Sequence, residues 1–474
     1  MSSKFARAAD TQKLWRSDYL RTVIVRDGPY CPLRAHGRDL AGRRPDYVGA
    51  AGKGIDMDRL TATRFQQTGG VEDWRLVCGG ASAWFNAPSQ TAGAALVGRI
   101  AELTDSNGLP DTDLRAGGVR VRIGAPGSPD LTRADVTLAR VISAAAQDLG
   151  LAADPAALQT VRLAIDAGDR PSVMSFWRPV LAYELVGGDG LIDPMRRDPE
   201  ILFHREDQPH PLRNRIHVDV VRTPEAVEAA KAIVGSEAYG AYNFTLADPE
   251  GNEVDLVPGH PLSEGPETAD WRVLFGAMTF YPTASPVQAS RLATAAAGLA
   301  DDVGVPLMID LRPEGVTIDS GKDEWDDDEH SRPARFAELA GRVQAVAHDL
   351  GLSADTTRLR FLQLGIDAVD VPAVRAFWTT VLGYQVDPRT SLTDIYDPRR
   401  LNPVIIFQQM DAAEQDRRQQ RNRIHFDLCV PSDQAQARID AAVAAGARVV
   451  TDKAQGRCRL ADPEGNEVDI VTQP

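Results

Sequence analysis

Cysteine is scarce in this chain. Among 474 residues there are four, Cys31, Cys78, Cys429 and Cys458, and no two form a CxxC pair. That scarcity argues against a disulfide framework and against a zinc-thiolate site. Cations are in deficit too: 52 Lys and Arg face 67 Asp and Glu, a net charge of −15. Binding to nucleic acid without sequence preference depends on cationic neutralisation of phosphates, so this balance opposes it. No apolar run approaches the length of a bilayer span, so neither a transmembrane helix nor a membrane partner is expected. The first residues lack the continuous apolar core of a secretory signal, which makes a cytoplasmic location the expectation. What remains is ordinary for a globular protein, 43% apolar and 25% charged. The length asks for roughly two to four domains, and a small molecule is the partner that fits best.

Against these absences stands abundant repetition. "LADPEGNEVDLV" at 246–257 returns as "LADPEGNEVDIV" at 460–471. "DWRLV" at 73–77 returns as "DWRVL" at 270–274, "DLRAGGV" at 113–119 as "DLRPEGV" at 310–316, and "QDLGLAAD" at 147–154 as "HDLGLSAD" at 348–355. "SFWRPVLAYE" at 175–184 is echoed by "AFWTTVLGYQ" at 376–385, and "RNRIHVDV" at 213–220 by "RNRIHFDL" at 421–428. The order is kept throughout, so the chain reads as a tandem duplication of a unit of about 200 residues, long enough to hold its own core. An intrachain pseudo-dimer follows, and a homo-oligomer is compatible with it. Residues 1–56 fall outside the repeat. With eleven Lys or Arg against six Asp and little periodicity, they read as a weakly ordered basic extension.

Each unit divides in two. In the first part, Ala92, Leu96, Ile100 and Leu103 mark a helical stripe ending near Asn107-Gly108. "GGVRVRI" alternates Val119, Val121 and Ile123 with Arg120 and Arg122, the pattern of a half-buried strand. Thr132 and Asp135 have capping-box spacing and open a second helix with Leu138, Ile142, Ala145 and Leu149 on one face. This part is α+β with an antiparallel sheet. The second part starts with a strand, "VRLAID" or "FLQLGID". A helix follows, with Val173, Phe176, Trp177, Val180 and Leu181 on one stripe, repeated as Val374, Phe377, Trp378, Val381 and Leu382. That placement makes the Phe-Trp pairs core residues and not a stacking platform. In "DPEGNEVD" a turn precedes a strand on which Glu253 and Asp255 share one side.

Strand, "FW..VLGY" helix, further strands, "RIHxD" and a terminal "DPEGNExD" resemble the vicinal oxygen chelate superfamily, the glyoxalase and bleomycin-resistance fold, over about 158–260 and 358–474. The resemblance implies paired βαβββ modules closing a cupped sheet around a cavity. The preceding segments, about 66–153 and 266–354, resemble pterin-4a-carbinolamine dehydratase. That family's His-His pair is here replaced by Gly108-Leu109 and Gly304-Val305. The second copy has His330 but not the pair, and glycine, leucine and valine move no protons near neutral pH. The expected organisation is therefore α+β: an extension at 1–56, degenerate dehydratase-like domains at 57–155 and 263–355, and glyoxalase-like domains at 156–262 and 356–474.

The resemblance also implies ligand positions. The acidic residue on the last strand falls at Asp255 and Asp469, and the histidine opening the second module at His217 and His425. The first-strand position falls on Arg162 and Gln363; arginine has no lone pair for a metal. The remaining position falls on His204 or Gln408. His204, His217 and Asp255 would assemble in the first domain, where two histidines and a carboxylate suit iron, manganese or zinc. Gln408, His425 and Asp469 make a poorer second set. Without metal, His217 and Asp219 form a His–Asp pair within a structural cluster, Arg162 receives an anion, and Gln363, His204 and Gln408 line the ligand site. Three functions remain open: a binding or resistance-type protein or mild lyase or isomerase acting on a small organic molecule; a metal-dependent lyase or dioxygenase; and a scaffold without a ligand. Pterin dehydration is expected to be lost.

Overall fold

A computed structural model describes residues 59–104, 108–124, 131–240, 242–324, 332–454 and 456–472. The basic extension expected at 1–56, together with Cys31 and His330, lies outside the described residues. Three large sheets organise the rest, and each draws on both halves of the chain.

The two small α+β segments join edge to edge. Met308–Arg312 pairs antiparallel with Asp111–Arg115, setting Asp310 opposite Asp113 and making one nine-stranded sheet. Four helices, Gln90–Thr104, Arg133–Asp148, Pro286–Val303 and Arg332–Asp349, share a core with this sheet. The capping box at Thr132 and Asp135 forms as expected. The helical stripes turn slightly from the expected ones. Leu96, Val97, Ile100 and Ala101 are buried in the first helix and Leu103 is 41% exposed, while Leu149 is exposed at the end of the second. The strand Gly118–Ile123 departs further: Arg120 is buried along with Val119 and Val121. It was expected to show one face to water, but the segment that follows it in the chain, Arg196 included, covers that face.

The second layer holds two mixed sheets. Thr160–Ala167 and Ile201–Arg205 run parallel, and the neighbour of Thr160–Ala167 on its other side is Ile424–Cys429, antiparallel, followed by Glu467–Val471. In the second sheet, Arg360–Ala368 lies between Val404–Gln409 and Ile216–Arg222, and Glu253–Pro258 follows. Each sheet thus takes its first strands from one half and its last from the other. The expectation that residues 156–262 close a cavity by themselves is corrected by this exchange. The predicted helix stripes pack as expected. Val173, Trp177, Val180 and Leu181 are fully buried, as are Val374, Phe377, Trp378, Val381 and Leu382.

Cys78 and Cys429 form a disulfide, with Cα atoms 5.9 Å apart and 351 positions between them in sequence. The scarcity of cysteine argued against a disulfide framework, and this single bond was not foreseen. Spacing in sequence carries no information here, because the hairpin turn at Cys78 meets the end of Ile424–Cys429 only in the folded chain. The matching turn in the second half places Phe275, also at positive φ (64°), edge-on against Phe361.

Candidate functional site on two exchanged sheets

The repeated "DPEGN" segment is a lock. Asp248 accepts from the amides of Glu250 (2.9 Å) and Asn252 (3.0 Å), while Gly251 supplies the positive φ (82°) of the turn. Trp177 Nε1 donates to Asp248 Oδ2 at 2.9 Å, and Trp378 Nε1 to Asp462 Oδ2 at 3.0 Å. Glu250 accepts from the amides of Gly168 and Asp169, where the next helix starts, and Glu464 does the same with Val369 and Asp370. The asparagine then crosses halves. Asn466 Oδ1 accepts from Arg215 Nε at 3.0 Å, and Asn252 Oδ1 from Arg423 Nε at 2.9 Å. The "RNR" arginines expected to build a structural cluster therefore join one half to the other.

On both mixed sheets the odd and even residues divide by face. Leu163, Ile165, Ile424, Phe426 and their counterparts enter one core under the helices. Polar residues occupy the other face. On the first sheet this polar face gathers Arg162, His204, His425 and Asp469, positions expected as ligands and drawn from two different halves. It is crowded with guanidinium groups. Arg162 donates to Asp427 (3.1 Å) and Glu200 (3.3 Å). Arg459 donates to both oxygens of Asp469 at 2.8 Å, and Arg457 adds a third bond at 2.6 Å. Burial works against the Asp469 charge, yet these arginines hold its carboxyl below the usual carboxylate range. His425 is fully buried, and burial pushes its imidazole down.

Next to this network lies a trio absent from the expected sets: the ligand atoms of Asp166, His204 and His425 lie within 4.8 Å of one another. Asp166 Oδ1 is 3.7 Å from His204 Nδ1, and its Oδ2 is 3.7 Å from His425 Nδ1 and 2.6 Å from Arg421. Burial opposes ionisation of Asp166, but His204, His425 and Arg421 together hold it well below the usual range. His425 Nδ1 has no hydrogen-bond partner among the described residues.

The polar face of the second sheet carries His217, Asp255, Gln363 and Gln408. Thr245 stands opposite Asp255 where Arg459 stands opposite Asp469, and it donates a single bond to Asp255 at 2.6 Å. The His–Asp pair is present: His217 Nε2 lies 3.6 Å from Asp219 Oδ1. Gln363 Nε2 donates to Asp219 Oδ2 at 2.7 Å. Four buried atoms on this face have no hydrogen-bond partner among the described residues: His217 Nδ1, Asp219 Oδ1, Gln363 Oε1 and Asp367 Oδ1. Burial pushes the Asp219 carboxyl up to about 6; His217 opposes the shift and Asp255 adds to it.

His204, His217 and Asp255, expected together, are thus separated. His204 lies on the first sheet with His425, their ring centroids 5.8 Å apart; His217 and Asp255 lie on the second. Strand pairing is the reason, since Ile216–Arg222 aligns with Arg360–Ala368, setting His217 opposite Gly365. Asp166, Asp219, Arg457 and Arg459 are the residues that sequence reasoning missed as site members. Their alternation with core residues was readable, but their partners were not.

A glyoxalase-like domain model matches residues 162–257 and 363–471. No curated protein matches the chain. Among solved structures, glyoxalase I from Zea mays is similar at 9% identity, covering 66% of this chain and 93% of that one with a TM-score of 0.31. A mutant of the same maize protein gives 9%, 68%, 95% and 0.32. An integron cassette protein from the mobile metagenome of the Halifax Harbour sewage outfall gives 16%, 23%, 93% and 0.18. Among the described residues no helix is long and apolar enough to cross a membrane. Residues 162–257 and 363–471 are thus each similar to the glyoxalase-like domain, within a sheet-rich α and β fold.

Proposed function

We propose that this protein binds a small organic molecule on the polar face of the second sheet, around His217, Asp219 and Gln363. One observation supports the reading: one buried polar atom of each of these three residues has no hydrogen-bond partner among the described residues. Leaving such atoms dry costs about 1–3 kcal/mol each, a cost that a polar ligand offsets. Asp219, with its pKa near neutrality, is suited to accept and return a proton, as a mild lyase or isomerase step requires. The first sheet is a poorer binding face because Arg457 and Arg459 occupy its carboxylates. The small α+β segments then serve assembly through their nine-stranded joint, and the two halves act as an intrachain pseudo-dimer. A thermal-shift screen of α-hydroxycarbonyl and catechol-type compounds tests the reading with wild type and Gln363→Ala. Compounds that stabilise wild type and not the variant support it. A screen in which no compound depends on Gln363 refutes it.

A second reading rests on the trio Asp166, His204 and His425. The family-type sets fit a metal badly: Arg162 cannot coordinate, Asp469 is held by two arginines, and Gln363 and Gln408 replace histidines. Two histidines and a carboxylate within 4.8 Å fit a divalent ion better. Bound there, the ion would polarise vicinal oxygens as a Lewis acid. Metal content of protein prepared with iron, manganese and zinc decides this. About one ion per chain, lost in a His204→Ala, His425→Ala double variant and kept in His217→Ala, Asp255→Ala, supports the trio; no bound metal rejects it.

A further inference from the structure

A charged cleft runs between the helix-free face of the nine-stranded sheet and the first strands of the glyoxalase-like segments. One part is lined by Arg115, Arg120, Arg197, Lys322, Arg360 and Arg400 against four aspartates. The adjoining part shares Arg120 and Arg197, and adds three arginines, Arg162 among them, against two further carboxylates. A chain of net charge −15 thus lines an internal cleft with more cations than anions.

Most of these cations are matched by protein groups. Arg197 reaches Asp319 at 2.8 Å, Arg360 reaches Asp198 at 2.8 Å, and Arg400 reaches Glu324 at 2.8 Å. Arg120 differs. It is 6% exposed, and its Nε donates to Asp113 Oδ2 at 2.6 Å. Its two terminal nitrogens have no partner among the described residues, and Arg120 lines both parts of the cleft. The sheet itself does not demand an arginine there: the second half builds the matching strand pair with Thr317 opposite Asp310, where the first has Arg120 opposite Asp113. A mostly buried guanidinium whose terminal donors open into a cleft is placed to receive an acceptor there.

We propose that this cleft binds a small molecule bearing an oxyanion, a carboxylate or a phosphate group, received by the Arg120 guanidinium. The planar fork suits either group. The site centres on Arg120 and uses none of His217, Asp219 and Gln363, so it stands whether or not their face binds a ligand.

Calorimetric titration of the full chain with inorganic phosphate, and separately with succinate, tests the proposal, with sodium chloride holding ionic strength constant. Saturable binding is expected in wild type. Binding of phosphate alone assigns a phosphate-bearing ligand, and binding of succinate alone assigns a carboxylate. Arg120→Gln should weaken binding by roughly tenfold or more, the effect of losing a charge-assisted pair, and Arg120→Lys by less, since charge remains but the fork is gone. Arg120→Gln leaves Asp113 bonded to Arg312 at 2.6 Å, so the sheet keeps that partner. No saturable binding in wild type, or equal affinity in wild type and in whichever Arg120 variant folds, overturns the proposal.

Discussion

The His217 imidazole lies directly on Gly365, a residue of the other half of the chain. The two stand opposite each other in the antiparallel pair Ile216–Arg222 and Arg360–Ala368. A Cβ at position 365 would overlap the ring atoms of His217. In the first sheet the equivalent neighbour of His425 is Ala164. Room for a histidine on the second sheet therefore comes from a glycine, and the two polar faces differ accordingly.

Gly365→Ala should push His217 off its position. The expected cost is about 1–3 kcal/mol, the usual range for overpacking a buried site. A lowered urea midpoint with an unchanged slope would show it. Stability equal to wild type would mean that the ring moves without resistance.

Asp219 gives a pH-dependent prediction. Its pKa is about 6 in the folded chain against an ordinary value of 3.8, so the folded state disfavours the charged form. Its ionisation costs stability above pH 6, and the cost disappears as pH falls below about 4. Asp219→Asn should therefore raise stability at pH 8, by on the order of 3 kcal/mol, and have little effect at pH 4. Melting temperatures of the two proteins across that range supply the check; a variant less stable at pH 8 contradicts the sign.

Asn466 sits at the crossing between halves. Asn466→Ala removes the acceptor used by Arg215 Nε (3.0 Å) and Asn422 Nδ2 (2.7 Å), leaving two buried donors open. A loss of about 2–4 kcal/mol is expected. Asn252→Ala should behave alike, because Arg423 and Asn214 depend on it in the same way. Denaturation midpoints near wild type for both variants would remove the lock from the account.

The Cys78–Cys429 bond ties the nine-stranded sheet to the first mixed sheet. Cys78→Ser should lower stability by about 2–4 kcal/mol. Reductant should lower the melting temperature of wild type and leave that of the variant unchanged. Peptide mapping without reductant should recover the two cysteines linked.

Much of the local structure was legible in the sequence. The Trp177 and Trp378 stripes, the Thr132–Asp135 cap and the turn in "DPEGN" depend on residues a few positions apart, so their spacing carries the information. The alternation of His217 and Asp219 with Ile216 and Val218 likewise placed them on one polar face. Which strand lies beside which was not legible. "RIHVD" and "RIHFD" offer nearly the same edge, and either could pair with "VRLAID" or "FLQLGID" on local pattern alone.

The sequence by itself determined the elements, their faces and the chemical groups those faces carry. Tertiary structure decided that His204 meets His425 and that Asp219 meets Gln363, that Arg120 is buried, and that Cys78 reaches Cys429. Strand pairing between halves is non-local. Long-range bonds such as Arg215 to Asn466 and packing such as His217 on Gly365 accompany the pairing that the fold adopts, and neither leaves a periodic trace along the chain.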